Sequence, residues 1–393
     1  MKTTFIIDEP YVSDFALKTL EAMQAPVLRN AFISNFKDRR LNLVDEADMG
    51  GRIYSNSENA LGLVLDKFPD SEIAASVRLC KNKYEFRRRL QAVYPDFYFR
   101  RIVPEGFDSE NDLPDKFIVK PTVGFLSMGV HKVESKSDWD RTKAALKAEI
   151  KDFSRNFPES VLSPAEFIVE ELIEGEEFAI DVYFNGGGEP VILNIFKHPF
   201  ADKDDVSDRL YLTSREIVED NLLPFFTTLE RVGQAFALKD FPAHIEVIRG
   251  KGGRVVPVEI NPMRFAGWCT TDLAYFAYGI NAYECFCHGR KPDWNAILKD
   301  KRRETYYFAM AETPSAIDKA KIAFDHDSFK RNFSQILDYR KIDHKKKPLF
   351  AIVFGMTDSP DETKRILTLK TEDFVIYGGK NEDVRQSNEG TKS

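Results

Sequence analysis

Two runs of alternating polar and apolar residues, Ala243–Arg249 and Arg254–Pro262, flank the turn Gly250-Lys251-Gly252-Gly253. Alternation on both sides of a glycine-rich turn predicts an antiparallel hairpin, because successive strand side chains point to opposite faces. If Arg249 pairs with Arg254, His244 falls opposite Glu259 and Glu246 opposite Pro257. That register places His244, Glu246, Glu259 and Asn261 on one face, and Ile245, Val247, Val258 and Ile260 on the other. The apolar face belongs to a core, so the polar face borders a cleft or solvent. Two carboxylates beside an amide oxygen repel one another when empty, and oxygen donors of this kind suit Mg²⁺ carrying phosphate and water. A solvated hairpin decorated with acids is the competing reading, but it leaves the apolar opposite face of both strands unexplained.

The rest of the chain predicts an α/β protein with an α+β centre. Residues 2–7 read as a strand, and Val12 to Met23 place Phe15, Ala16, Leu20 and Met23 on one helical face. A second helix is expected to begin at Ser57, capped by its hydroxyl, with Ala60, Leu61, Val64, Leu65 and Phe68 as its stripe. From Lys116 to Gly289 the order is strand, turn, strand, helix, then more strands. The glycine-rich turns Asn185–Gly188 and Gly250–Gly253 mark hairpins, so antiparallel sheet dominates. Candidate strands Tyr306–Met310, Leu349–Gly355 and Phe374–Tyr377 belong to a last α/β piece. The predicted division is 1–95, 96–300 and 301–378, with a polar, mobile tail over 379–393.

At 393 residues the chain exceeds the roughly 250–300 at which a single core stops growing, which fits such a division. A net charge of −7 disfavours general attraction to nucleic acid or anionic membrane. Seven basic residues between Lys81 and Arg101 are an exception: Lys81, Lys83, Arg87, Arg88, Arg89, Arg100 and Arg101. They read chiefly as a solvated helix face over Tyr84, Phe86 and Leu90, from which one or two could reach a nucleotide. The N-terminus lacks the apolar run of a signal peptide or membrane span, and four cysteines form no disulfide framework; a reducing, cytoplasmic setting is the expectation. Cys285, Cys287 and His288 sit close together, but without a second ligand cluster they read as part of a buried helix.

Two further segments carry chemistry. Phe117-Ile118-Val119-Lys120-Pro121 is an apolar strand ending in a lysine, followed by the loop Thr122–Val130 with Gly124, Ser127 and Gly129. Glycines let backbone amides approach phosphate closely. A Walker loop is excluded, because Val130 and His131 stand where lysine and a hydroxyl residue are required. Downstream, Phe167–Glu171 and Phe178–Asp181 enclose an acidic turn whose carboxylates could accept from ribose hydroxyls.

In this order, over roughly residues 80–290, these segments resemble the ATP-grasp superfamily, in its carboxylate–amine or thiol ligase form. The resemblance implies an ATP-grasp fold behind a Rossmann-like N-terminal domain, with ATP and Mg²⁺ (or Mn²⁺) as cofactors. It makes Lys83, after Asn82, and Lys120 the phosphate lysines, and 122–129 the phosphate-covering loop. Glu170, Glu171 and Ile173 correspond to the adenine-reading linker and Glu177 to the ribose carboxylate. Glu246, Glu259 and Asn261 match the metal ligands in type and in their spacings of thirteen and two. The polar stretch His198–Ser214 resembles the family's mobile active-site loop, with Arg209 and Lys197 as γ-phosphate candidates. Two departures stand out. His244 occupies a position often held by an arginine that stabilises the tetrahedral intermediate; it could be acid, base, a partner of Glu259, or structural. Arg264, in Asn-Pro-Met-Arg rather than Asn-Pro-Arg, could clamp a substrate carboxylate.

The implied activity is phosphorylation of a carboxylate, followed by attack of an amine or similar nucleophile. A kinase acting on a small alcohol and a non-catalytic ATP-binding module are the alternatives. Small-molecule substrates are the expected partners, without nucleic acid or membrane, and a homodimer stays open.

Overall fold

The N-terminal apolar run forms β1 (Thr3–Ile6), which lies between β2 (Pro26–Leu28) and β4 (Arg52–Ser55), with β3 (Asn42–Val44) outside β2. All these pairings are parallel, as in a Rossmann-like unit. The computed structural model describes residues 2–33, 39–48, 51–109, 112–123, 129–156, 166–202, 205, 207–314 and 317–377. Gly124, Ser127, part of the 198–214 stretch and the 379–393 tail lie outside the described residues.

Helix α1 (Asp14–Met23) is capped by Ser13, whose hydroxyl accepts from Ala16 N. The second helix, α2 (Asn59–Lys67), starts two residues later than expected. Ser57 does not cap it; its hydroxyl donates to Asp8 Oδ2 at 2.9 Å, tying the end of β4 back to the residues after β1. Helices α3 (Glu72–Lys81) and α4 (Lys83–Leu90) meet at Asn82, which ends the first and caps the second: its Oδ1 accepts from Glu85 N at 3.0 Å.

The next sheet comprises β5 (Phe99–Ile102), β6 (Phe117–Pro121), β7 (His131–Val133) and β8 (Phe167–Glu171), all antiparallel in the order β5-β8-β6-β7. Helix α5 (Lys136–Asn156) adds Trp139 and Leu146 to the core beneath it, beside Phe107, Phe117, Val119, Phe167 and Val169.

Strands β9 (Gly175–Phe184), β10 (Pro190–His198), β11 (Leu210–Ser214), β12 (Phe241–Gly250) and β13 (Val255–Pro262) complete the central region, with α6 (Arg215–Phe236) between β11 and β12. Leu210–Ser214 is therefore strand and not loop. By contact the chain divides into two units. The first comprises Met1–Ile195, Val218–Tyr275 and Gly279–Trp294; the second comprises Phe196–Ile217, Phe276–Tyr278 and Asn295–Ser393. Within the first unit the strand order is β13-β12-β9-β10. Gly175 begins β9 opposite Gly250, and a side chain there would meet the Arg249 carbonyl oxygen at 2.4 Å, so only glycine permits this approach.

The hairpin β12–β13 forms as expected, but its register differs. Arg249 pairs with Val255, and past a β-bulge Glu246 pairs with Glu259 and His244 with Asn261. Val258 is the extra residue, half-exposed where a core position was expected. A slip of one residue would have turned every side chain over. The longer turn and the bulge together shift the pairing by two, so the four polar residues stay on one face and Ile245, Val247 and Ile260 remain fully buried.

In the second unit β11 pairs with β14 (Thr305–Glu312), β14 with β17 (Leu349–Thr357) and β17 with β16 (Gln335–Lys341), while β15 (Ile322–Phe324) pairs with β18 (Val375–Tyr377). Phe324 stacks on Phe350 at 3.9 Å within its core. Among the described residues no helix is long and apolar enough to cross a membrane.

Candidate active site

Lys83 is the first residue of α4, and its backbone N donates to the Thr122 carbonyl at 2.8 Å, joining the helix start to the segment after β6. Its Nζ lies 3.6 Å from Glu259 Oε1, and Lys81 Nζ lies 3.9 Å from the same oxygen. Glu259 sits directly opposite Glu246, and Asn261 Nδ2 donates to Glu246 Oε1 at 3.1 Å, which leaves the amide Oδ1 as an oxygen donor. Burial alone would push the Glu259 carboxyl up, but Lys83, Lys81 and Lys120 together hold it below the usual carboxylate range.

The donor set fits a hard divalent cation that arrives with phosphate. It offers oxygens only, and too few to complete a shell. Among the described residues no group of three or more His, Cys, Asp or Glu side chains is placed to hold a metal, so these residues alone form no closed site. Cys285 and Cys287 fit the structural reading: burial pushes both thiols up to about 11.

Lys120, at the end of β6, is buried, with Nζ 3.0 Å from Glu170 Oε2 on β8. Arg87 on α4 grips the same carboxylate from both sides, Nε to Oε1 and Nη2 to Oε2 at 2.9 Å each. Its Nη1 donates to the Pro257 carbonyl, beside the bulge, at 2.6 Å. Burial favours the neutral acid, yet Arg87 and Lys120 pull the Glu170 carboxyl down to about 2. Burial lowers Lys120 in turn, with Glu170 opposing. Glu170 is thus a buried brace for Lys120, rather than a side chain open to a nucleotide base.

Glu171 accepts from Tyr98 N through Oε2 at 3.0 Å, and Ile173 is half-exposed in the loop between β8 and β9. Glu177 pairs with Ile248, two residues along β12 from Glu246, and so shares the face of Glu246 and Glu259. Gly129, the last residue of the 122–129 segment, adopts φ 71°.

His244 lies deep in the same face. Its Nδ1 is 2.8 Å from Oδ1 of Asp181, the residue opposite it on β9; the same oxygen accepts from Ala266 N at 2.8 Å. Asp181 is fully buried, and its Oδ2 has no hydrogen-bond partner among the described residues. Arg264 follows Met263, whose φ of 62° turns the chain sharply after the hairpin. Arg264 Nε donates to Glu58 Oε1 at 3.0 Å, while Lys81 holds Glu58 Oε2 at 2.9 Å. Against the effect of burial, Arg264 and Lys81 pull the Glu58 carboxyl down to about 2. A bidentate grip on a substrate through the Nε edge of Arg264 would require Glu58 to yield.

Five cations (Lys81, Lys83, Arg87, Lys120, Arg264) and four carboxylates (Glu58, Glu170, Glu246, Glu259) therefore converge in the first unit. Arg87, Lys81, Glu58 and Asp181 were not singled out from sequence. Arg87 had a signal: Lys83, Arg87 and Leu90 fall at i, i+4 and i+7 beside Phe86, which is the buried side of α4. Lys197 and Arg209 belong to the second unit, where Arg209 Nη1 donates to the Leu367 carbonyl at 2.9 Å.

Residues 113–272 match the family described as ATP-grasp domain. No curated protein sequence matches the chain. Among solved structures, an L-amino acid ligase from Bacillus licheniformis is similar at TM-score 0.65 and 15% identity, covering 96% of this chain and 99% of that one. N5-carboxyaminoimidazole ribonucleotide synthetase from Thermotoga maritima gives TM-score 0.62 and 12% identity, over 97% and 100% of the two chains. Biotin carboxylase from Campylobacter jejuni gives 0.61 and 10%, over 92% and 88%. At these identities the likeness concerns the fold.

Proposed function

The chain carries an ATP-grasp domain, and from that premise we propose that it uses ATP and Mg²⁺ to convert a carboxylate into an acyl phosphate, which an amine or similar nucleophile then attacks. The observation that carries the reading is the pairing of Glu246 with Glu259, beside Asn261 and facing Lys83. Glu246, Glu259 and Asn261 would hold the metal; Mg²⁺ or Mn²⁺, when bound, withdraws charge from the β- and γ-phosphates.

In the first step a carboxylate oxygen bonds to the γ-phosphorus as its bond to the β-bridging oxygen breaks, and ADP leaves. In the second, the lone pair of the nucleophile bonds to the acyl carbon. Phosphate departs with the electrons of the C–O bond, and the proton of the nucleophile passes to the departing phosphate. Lys83 and Lys120 neutralise the phosphates, with Glu170 anchoring Lys120. The loop carrying Gly124, Ser127 and Gly129 would cover them. The chain around Glu171 and Ile173 would meet the base, and Glu177 the ribose. Arg264 would orient the acid, and His244 would lie near the acyl carbon. Lys197 and Arg209 stay γ-phosphate candidates on sequence grounds.

The substrates would be small molecules, handled without nucleic acid or membrane, in the cytoplasm. The test is a screen of amino acids and other carboxylates, each with and without an amine, for stimulated ADP release and for the mass of the product. An acid-dependent condensation product, much reduced in Glu259→Gln at limiting Mg²⁺, is expected. A stable phosphate ester of an alcohol would show a kinase instead, and ADP release unaffected by Glu259→Gln would contradict the metal assignment.

A further inference from the structure

Four of the seven basic residues between Lys81 and Arg101 are not part of the site; Arg88, Arg89, Arg100 and Arg101 are exposed. Arg87 is different. Only 2% of it is exposed, it touches β8 and β13 from α4, and the reading above gives it no task. We propose that Arg87 is a positioning residue for nucleotide phosphate binding, acting through Glu170 on Lys120. The proposal rests on the nucleotide-site reading.

Geometry supplies the first argument. Lys120 can reach phosphate usefully only if its ammonium is held in one place, and its contact is Glu170 Oε2 at 3.0 Å. Glu170 is in turn fixed in plane by the Arg87 fork, which orients both oxygens at once. The remaining nitrogen of that guanidinium is fastened to the Pro257 carbonyl, and its plane lies over the Phe97 ring at 4.3 Å. Arg87 is therefore fixed on three sides. A lysine has no planar fork and would leave Glu170 free to rotate.

Charge supplies the second. Arg87, Lys120 and Glu170 carry two positive charges against one negative, and all three are nearly fully buried. An ion pair serving only to hold the fold has no use for the second cation, whose burial opposes folding. A surplus positive charge held rigidly next to Lys83 suits an anionic ligand.

The third is position. Arg87 stands one helical turn after Lys83, and Pro257 stands two residues before Glu259. One side chain thus holds Lys120 in a constant relation to the start of α4 and to the bulge in β13.

The experiment is a double-mutant cycle read by calorimetric titration of ADP in the absence of divalent metal, so that only the phosphate lysines report. Arg87→Lys, which removes a supporting partner, and Lys120→Met, which removes the phosphate contact itself, are each expected to weaken binding by about tenfold to hundredfold. The double variant should bind no worse than Lys120→Met alone, to within roughly twofold, because Arg87 acts through Lys120. If Arg87→Lys does not fold, Glu170→Gln takes its place in the cycle with the same expected non-additivity. Additive losses, or wild-type affinity in Arg87→Lys, would overturn the inference while leaving the nucleotide site intact. Wild-type affinity in Lys120→Met would overturn the site reading itself, and the inference with it.

Discussion

Replacing Glu170 by Gln leaves the buried Arg87 and Lys120 without a counter-charge while hardly changing volume. A carboxyl that falls from its ordinary 4.5 to about 2 on folding contributes on the order of 3 kcal/mol at neutral pH, at about 1.4 kcal/mol per tenfold. Breaking a buried ion pair by removing one partner costs about 3–5 kcal/mol by mutational precedent, which agrees. For a unit of about 270 residues, an unfolding entropy of about 2.1 cal/mol/K per residue turns this into a drop of about 5–6 °C in Tm. The pH dependence follows from the sign of the shift. The folded value lies below the unfolded one, so the stabilisation is complete above about pH 4.5 and fades as pH falls towards 2. By pH 3 it is reduced to about 1.4 kcal/mol, so the gap between wild type and variant should shrink by more than half. Thermal unfolding of both proteins by circular dichroism between pH 7 and pH 3 measures it. Equal Tm values at pH 7, or a gap unchanged at pH 3, would refute the reasoning.

Other outcomes follow from the same geometry. Glu259→Gln removes the carboxylate that faces Lys83 and should raise the Mg²⁺ needed for half-maximal ADP release by about tenfold to hundredfold; an unchanged Mg²⁺ titration rules it out as a ligand. Glu58→Gln loosens Arg264 and Lys81 and should raise the KM for the acid by roughly tenfold with little change for ATP. An equal rise for both substrates would show that Glu58 does not act on the acid side. Gly175→Ala drives a methyl group towards the Arg249 carbonyl, 2.4 Å from the new carbon, and should cost about 1–3 kcal/mol in denaturant unfolding; an unchanged midpoint would mean that the β9–β12 edge relaxes freely.

What the sequence disclosed depended on how local each signal was. The β12–β13 hairpin was legible because alternation and a glycine turn lie within twenty residues. Its register was not, because the bulge at Val258 leaves no mark in residue type. The face assignment survived since the total shift was two. Ser57 was expected to cap a helix, the local use of a serine, but its hydroxyl serves Asp8, 49 positions away. Nothing in the segment around Glu58 marks it, and only the fold brings it to Arg264, 206 positions later. Arg87 was hidden among exposed arginines, although its helical phase with Lys83 and Leu90 pointed inward. Strands β15 and β16 went unread, β15 being three residues long and β16 almost wholly half-buried, with no clear alternation.

Isotope transfer tests the central claim most directly. An acid that stimulates ADP release is labelled with ¹⁸O in both carboxylate oxygens, and the phosphate formed with the product is examined by mass spectrometry. Passage through an acyl phosphate predicts one ¹⁸O atom in each phosphate released. Phosphate free of ¹⁸O would contradict carboxylate activation by the γ-phosphoryl group.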